Sequence, residues 1–159
     1  IYFSSSYQTG SICLEAGATG YRELWSGDNI LSSHYSSIIH QGGYLYGFDG
    51  RQEYGTRLRC VSLSSGKIAW NEAMPGKNSF GSGTLILAGD KLLVMTDSGE
   101  LIFSSVSSTA YKRLGSATIL TGTVRAYPAL AGGLLYARST SELACFDLRK
   151  TPAASPGSE

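Results

Sequence analysis

Two sequence landmarks recur along this chain at the same interval, and that recurrence restricts its fold more than any other feature. The first is a turn followed by an apolar or alternating run: Gly42-Gly43-Tyr44-Leu45-Tyr46, Gly89-Asp90-Lys91-Leu92-Leu93 and Gly132-Gly133-Leu134-Leu135-Tyr136. Leu45, Leu92 and Leu135 stand 47 and then 43 residues apart. The second landmark is Ile12-Cys13-Leu14, Arg59-Cys60-Val61, Ile102-Phe103-Ser104 and Ala144-Cys145-Phe146, whose central residues are 47, 43 and 42 apart. A fixed period of this size means one supersecondary unit, repeated and stacked on its neighbours.

Within a period the pattern is four short strands separated by turn residues. In the best-preserved unit the strands are expected over residues 35–40, 44–48, 58–63 and 67–73, with turns at Asp49-Gly50 and Ser65-Gly66. The following unit gives 83–87, 91–96, 100–104 and 111–114. No window carries a helical stripe, and residues 107–112 are read as non-helical. The first unit has three strands (1–6, 11–15, 22–25) and lacks its innermost one; the last has three, ending at Leu148, and lacks its outermost one. Four-stranded units every forty-odd residues describe an all-β chain, a partial β-propeller of four-stranded antiparallel blades. The expected divisions are 1–25 (partial blade), 26–75, 76–115 and 116–149 (partial blade). The Pro- and Ser-bearing stretch 150–159 is expected to be a flexible tail.

The wording of the repeat carries a family resemblance. Ser65-Gly66-Lys67-Ile68-Ala69-Trp70 resembles the Thr-Gly-Lys-x-x-Trp end of a pyrroloquinoline quinone (PQQ)-type propeller repeat, and Cys145-Phe146-Asp147-Leu148 resembles its Leu-Tyr-Ala-Leu-Asp strand. Residues 127–136, from Tyr127-Pro128 to Leu135-Tyr136, resemble the repeat's opening strands. The resemblance covers roughly residues 1–149. It departs in the third unit, where Arg113-Leu114 replace the tryptophan. It implies membership of bacterial PQQ-like repeat proteins, the propeller family of the outer-membrane assembly lipoprotein and of quinoprotein alcohol dehydrogenases. It further implies a periplasmic or secreted setting, and a ring of about seven or eight blades. On that basis the chain is read as the C-terminal part of a propeller, completed by a missing N-terminal half or by a second copy of itself.

Composition removes several function classes. Thirteen Lys+Arg against twelve Asp+Glu give a net charge of +1, without the basic face of a nucleic-acid binder. Purely apolar runs are about four residues long, so no membrane span is expected. Charged residues are only 16% of the chain, below the roughly 25% of an ordinary soluble domain.

The residues with chemical potential are few. Cys13, Cys60 and Cys145 share one register in three units; sheets in neighbouring blades lie about 10 Å apart, beyond disulfide reach, so small apolar packing is expected of all three. His34 and Tyr35 lead into an innermost strand, where a propeller's central channel opens, and Arg125 and Tyr127 occupy the matching lead-in of the last unit. Arg51 lies in a long charged loop, 49–55. Long loops on a rigid scaffold carry binding function. These five residues form the expected ligand-binding set, with Arg125 alternatively pairing a carboxylate. No residue is assigned a catalytic role, since no Gly-x-Ser-x-Gly elbow accompanies Ser33, His34 and Asp49. Nor does any Cys/His cluster or carboxylate spacing suggest a metal. Quinoprotein dehydrogenases, by the same family resemblance, carry adjacent cysteines and a calcium site beside PQQ, and neither is visible in this sequence. The expected function is therefore a non-catalytic repeat scaffold, without cofactor, that binds a protein or glycan partner. Its competitor is part of a PQQ-dependent oxidoreductase.

Overall fold

Turn glycines and aspartates cut the chain into short extended segments, and each segment pairs with the next in sequence. The computed structural model describes residues 1–149, and among them there is no helix. The first sheet runs β1 (Tyr2–Ser5), β2 (Gly10–Gly17), β3 (Gly20–Gly27). The second is β4 (Ile39–Gln41), β5 (Tyr44–Arg51), β6 (Gly55–Ser62), β7 (Ile68–Glu72). The third is β8 (Gly83–Ala88), β9 (Lys91–Thr96), β10 (Glu100–Ser105), β11 (Arg113–Thr118). The fourth is β12 (Ala129–Ala131), β13 (Leu134–Arg138), β14 (Leu143–Asp147). Every pairing is antiparallel between consecutive strands, which is the meander of a propeller blade. The tail expected over 150–159 lies outside the described residues.

Three apolar clusters fill the three spaces between four successive blades. Cys13, Trp25, Leu31, Leu45 and Val61 join the first blade to the second. Tyr46, Phe48, Leu58, Cys60, Trp70, Phe80, Leu92, Val94 and Ile102 join the second to the third. Leu93, Met95, Leu101, Leu120, Val124, Leu135 and Ala137 join the third to the fourth. Strand β9 shows why its sequence is apolar throughout rather than alternating. Leu92 and Val94 face one neighbour while Leu93 and Met95 face the other, so a strand buried on both sides reads as a continuous apolar run.

The second sequence landmark has a structural counterpart. Cys13 pairs with Trp25, Cys60 with Trp70 and Phe103 with Gly115, and a β-bulge follows Cys13, Cys60 and Phe103 at the same place in each blade. The bulge re-aims the outer strand so that its tryptophan reaches the next blade. Trp25 Nε1 donates to the Leu63 carbonyl in the second blade at 2.8 Å, and Trp70 Nε1 donates to the Ser107 carbonyl in the third, also at 2.8 Å. Each indole thus buries its ring in one interface and closes it with a hydrogen bond. With Gly115 at the equivalent register, the third blade has no such bond to the fourth.

Several expectations need correction. Residues 35–38 are not strand: Tyr35 adopts φ +62°, a left-handed conformation that ends extension, and the inner strand is only Ile39–Gln41. The charged stretch 49–55 is not a long loop. β5 continues through Arg51 and β6 begins at Gly55, so Asp49 pairs with Arg57, and only three residues turn. β11 begins at Arg113 rather than 111 and extends to Thr118. Cys145, expected to be buried, is exposed. It points to the side where a further blade would pack, whereas Cys13 and Cys60 point into filled interfaces. Phe146, on the opposite side of β14 from Cys145, packs against the third blade.

Candidate binding site

The segment joining the first two blades builds the site, and it is pinned from both sides. Tyr2 and Ser4 of strand β1 both donate to the Leu31 carbonyl, at 2.6 and 2.7 Å, and Ser4 Oγ accepts the Ser33 N–H at 2.7 Å. From the second blade, Asp49 Oδ1 accepts the Ser32 N–H at 2.7 Å and the Gly50 N–H donates to the Ser32 carbonyl at 2.9 Å. Arg59 Nη1 donates to the carbonyls of Asn29 and Ile30 at 2.8 and 2.9 Å while lying 2.7 Å from Asp49 Oδ2. Burial raises the Asp49 carboxyl above its usual range, opposed by the Ser32 N–H and the Arg59 charge; burial lowers the Arg59 guanidinium, opposed by Asp49.

Beyond this clamp the chain turns through His34 and Tyr35. The His34 ring stacks against Tyr35 with centroids 3.7 Å apart and receives the edge of Tyr7 at 5.2 Å. Arg51 lies over the other ring feature of this group: its guanidinium carbon is 4.1 Å from the Tyr7 centroid and 5.3 Å from that of Tyr54. Arg51 Nη2 also pairs with Glu53 at 3.3 Å, and that contact helps hold the exposed Glu53 carboxyl below its usual range, behind a hydrogen bond from the residue's own backbone. Two buried nitrogens here have no protein partner, His34 Nε2 and Arg51 Nε.

The lead-in of the fourth blade meets the second blade across this region. The Ser37 N–H donates to the Tyr127 phenol oxygen at 2.5 Å, and Tyr127 lies within hydrogen-bond reach of Ser37 Oγ and the Tyr35 carbonyl. Arg125 Nη1 donates to Gln52 Oε1 at 2.7 Å, so its partner is an amide, not a carboxylate. All five residues singled out in the sequence therefore lie in one neighbourhood. Tyr35, Gln52, Glu53 and Arg125 line an open cavity of about 630 Å3. His34 and Arg125 also border a small recess of about 30 Å3 with Thr84 and Asp97.

Sequence reasoning missed Tyr7, Gln52 and Tyr54. Gln52 and Tyr54 sit in the turn beside Arg51, where no pattern marks individual side chains. Tyr7 sits in the hairpin after β1 with Gln8, and both adopt φ +63°. Turns with two left-handed residues ordinarily use Asn-Gly. A bulky pair in that conformation costs about 1–3 kcal/mol per residue and is found where surrounding contacts fix it. Here the Arg51 and His34 contacts do so. The only hint in the sequence is a turn without glycine until Gly10.

By the family resemblance, a PQQ site carries adjacent cysteines and a calcium site. Cys13, Cys60 and Cys145 lie in three different sheets, so none is adjacent to another. Among the described residues no three His, Cys, Asp or Glu side chains group as a metal site. No described helix is long and apolar enough to cross a membrane.

Comparison with known proteins gives a narrow result. No protein-family model matches the chain, and no curated protein matches it. Among solved structures the chain is similar to BamB from Moraxella catarrhalis, at 15% sequence identity and a TM-score of 0.46. The alignment covers 91% of this chain and 60% of that one. This chain thus spans about three-fifths of that protein's length, and the likeness carries nothing about partners or activity.

Proposed function

We propose that this chain is a binding scaffold that receives a protein or glycan partner on the surface formed by His34, Tyr35, Arg51, Arg125 and Tyr127. The observation that carries the proposal is the junction between the second and fourth blades. Arg125 to Gln52 and Tyr127 to Ser37 tie the two blades together beside one large open cavity, whose rim carries the exposed Tyr35, Gln52, Glu53 and Arg125. Rigid blades hold the loops, and the loops present aromatic and cationic groups, the types enriched where proteins bind partners. Chemistry is not part of the proposal: His34 stacks between tyrosines rather than against a nucleophile, so the arrangement serves recognition. No cofactor is included. The periplasmic or secreted setting implied by the repeats belongs to the proposal as well.

The test is a photo-crosslinking residue at Tyr35 or Tyr127 in producing cells, with Tyr21 as the control position on the outer strand of the first blade. A discrete adduct from Tyr35 and Tyr127 but not Tyr21, reduced by Arg125→Ala, is expected. Equal adducts at all three positions, or none at Tyr35 and Tyr127, would overturn the proposal.

A further inference from the structure

A second cleft lies between the first and second blades. It encloses about 480 Å3 and is lined by Tyr7, Asp28, Asn29, Ser32, Arg51 and Tyr54 among others. That volume lies within the roughly 300–1,000 Å3 of small-ligand sites. We infer that this cleft is a subsite for a neutral oligosaccharide. The inference deepens the scaffold proposal by naming the chemistry of one partner class, and it shares only Arg51 with the channel-mouth residues.

Three features point to a sugar. The first is aromatic surface: Tyr7 is 60% exposed and Tyr54 is 83% exposed, both within 5.3 Å of the Arg51 guanidinium carbon. Large rings left in water at the mouth of a concavity offer an apolar face with a polar tip. A pyranose matches this with its own C–H face and peripheral hydroxyls.

The second is the polar inventory. Asp28 offers carboxylate acceptors, Asn29 an amide with both donor and acceptor, and Arg51 a planar set of donors whose Nε is buried without a protein partner. Planar groups that donate and accept in pairs suit vicinal hydroxyls, each of which does both.

The third is charge. Among the residues lining the cleft, Asp49 is matched by Arg59, which leaves Asp28 and Arg51, one charge of each sign. A phosphate or carboxylate ligand would meet the Asp28 carboxylate, and a cationic ligand would meet Arg51. A neutral polyol offends neither.

The cleft is also set in advance. Its floor segment is clamped by Asp49 and Arg59, and Tyr7 is locked in its left-handed turn, so little ordering remains for a ligand to impose.

The experiment is titration of the purified, folded chain with maltotriose, cellotriose and triacetylchitotriose, read by saturation-transfer NMR and calorimetry. At least one is expected to bind with a Kd of about 1 mM or tighter. Tyr54→Ala and Asn29→Ala should each weaken that binding about tenfold, while Tyr21→Ala leaves it unchanged; thermal unfolding confirms that each variant folds. Silence with all three sugars at 10-fold higher concentration, about 10 mM, overturns the inference. So does binding indifferent to Tyr54→Ala and Asn29→Ala, or saturable binding of inorganic phosphate in place of the sugars. Failure here with adducts still formed from Tyr35 and Tyr127 removes the sugar subsite and keeps the scaffold. Sugar binding without those adducts supports the subsite and removes the channel-mouth surface.

Discussion

The carboxylate of Asp49 lies 2.7 Å from the guanidinium of Arg59, with the two side chains only 13% and 14% exposed. Neither group is spent on the other alone. Asp49 also accepts from Ser32, and Arg59 also donates to Asn29 and Ile30, so the pair sets the path of the segment under both candidate sites.

Arg59→Met should therefore cost about 2–3 kcal/mol, at or below the low end for removing one partner of a buried ion pair, because some solvent reaches it. The sign of its pH dependence follows from Asp49. Burial raises this carboxyl above 3.8, so the folded state holds its proton more tightly than the unfolded one. The stability linked to that proton is fully present below pH 3.8 and is lost as pH rises through the folded-state value. Without Arg59 the rise is larger and the loss steeper. Denaturant unfolding of Arg59→Met from pH 4 towards neutrality should show that steeper decline against the unaltered chain. Parallel curves would refute it.

Gly66 and Gly89 make a matched comparison. Both have positive φ, +69° and +60°, but a Cβ on Gly66 would lie 2.8 Å from the Trp25 ring, whereas one on Gly89 meets nothing within 4 Å. Gly89→Ala should cost about 1 kcal/mol, the left-handed penalty alone. Gly66→Ala adds the roughly 1–3 kcal/mol of overpacking and should displace Trp25 from Leu63. Equal losses in the two variants, measured by chemical denaturation, would show that the indole is not seated as described.

These two glycines also show what the sequence could tell. The turns, the four-strand period and the register shared by Cys13, Cys60 and Cys145 were legible because each depends on local chemistry repeated several times. The clamp at Asp49 and the stack of Arg51 on Tyr7 were not. They join residues 17 to 44 positions apart, once each, and no period reports a contact made once. His34, Tyr35, Arg125 and Tyr127 were found only because the repeat aligned two equivalent lead-ins. Their third partner, Gln52, lies in a hairpin tip whose direction the sequence does not encode. Strand ends drifted for the same reason: the left-handed turn at Tyr35 shortened β4 where propensity alone favours extension.

Thiol labelling should divide the cysteines cleanly. Cys145 is exposed, while Cys13 and Cys60 are buried, and burial pushes the Cys60 thiol up to about 11. The thiolate is the reactive form. At concentrations low enough to keep the chain unassociated, a neutral-pH disulfide reagent should modify one thiol per chain rapidly, mapped by mass spectrometry to Cys145, and reach the other two only on unfolding. Rapid modification of Cys60 in the folded chain would contradict the second interface as described.

The two outward faces of the array should make the chain self-associate. Phe3 is 56% exposed on the first blade and Leu143 is 75% exposed on the last, each on a sheet face covered by no described blade. Apolar faces of this kind seek partners. Light scattering should give a mass above that of one chain, and the pair Phe3→Ser with Leu143→Lys should shift it towards the monomer. A monodisperse single chain at high concentration would refute the expectation.

The indole bonds, Trp25 to Leu63 and Trp70 to Ser107, have one more consequence. Donor and acceptor never belong to the same blade, yet the second blade provides both: Trp70 for its successor and the Leu63 carbonyl for its predecessor. Such a coupling counts in integers. Excising one whole repeat would hand Trp25 the acceptor that Trp70 now uses, whereas losing a few residues within a repeat would leave a donor facing the wrong atom. The array can thus change length by entire units at little cost, and by fractions of a unit only by breaking a seam.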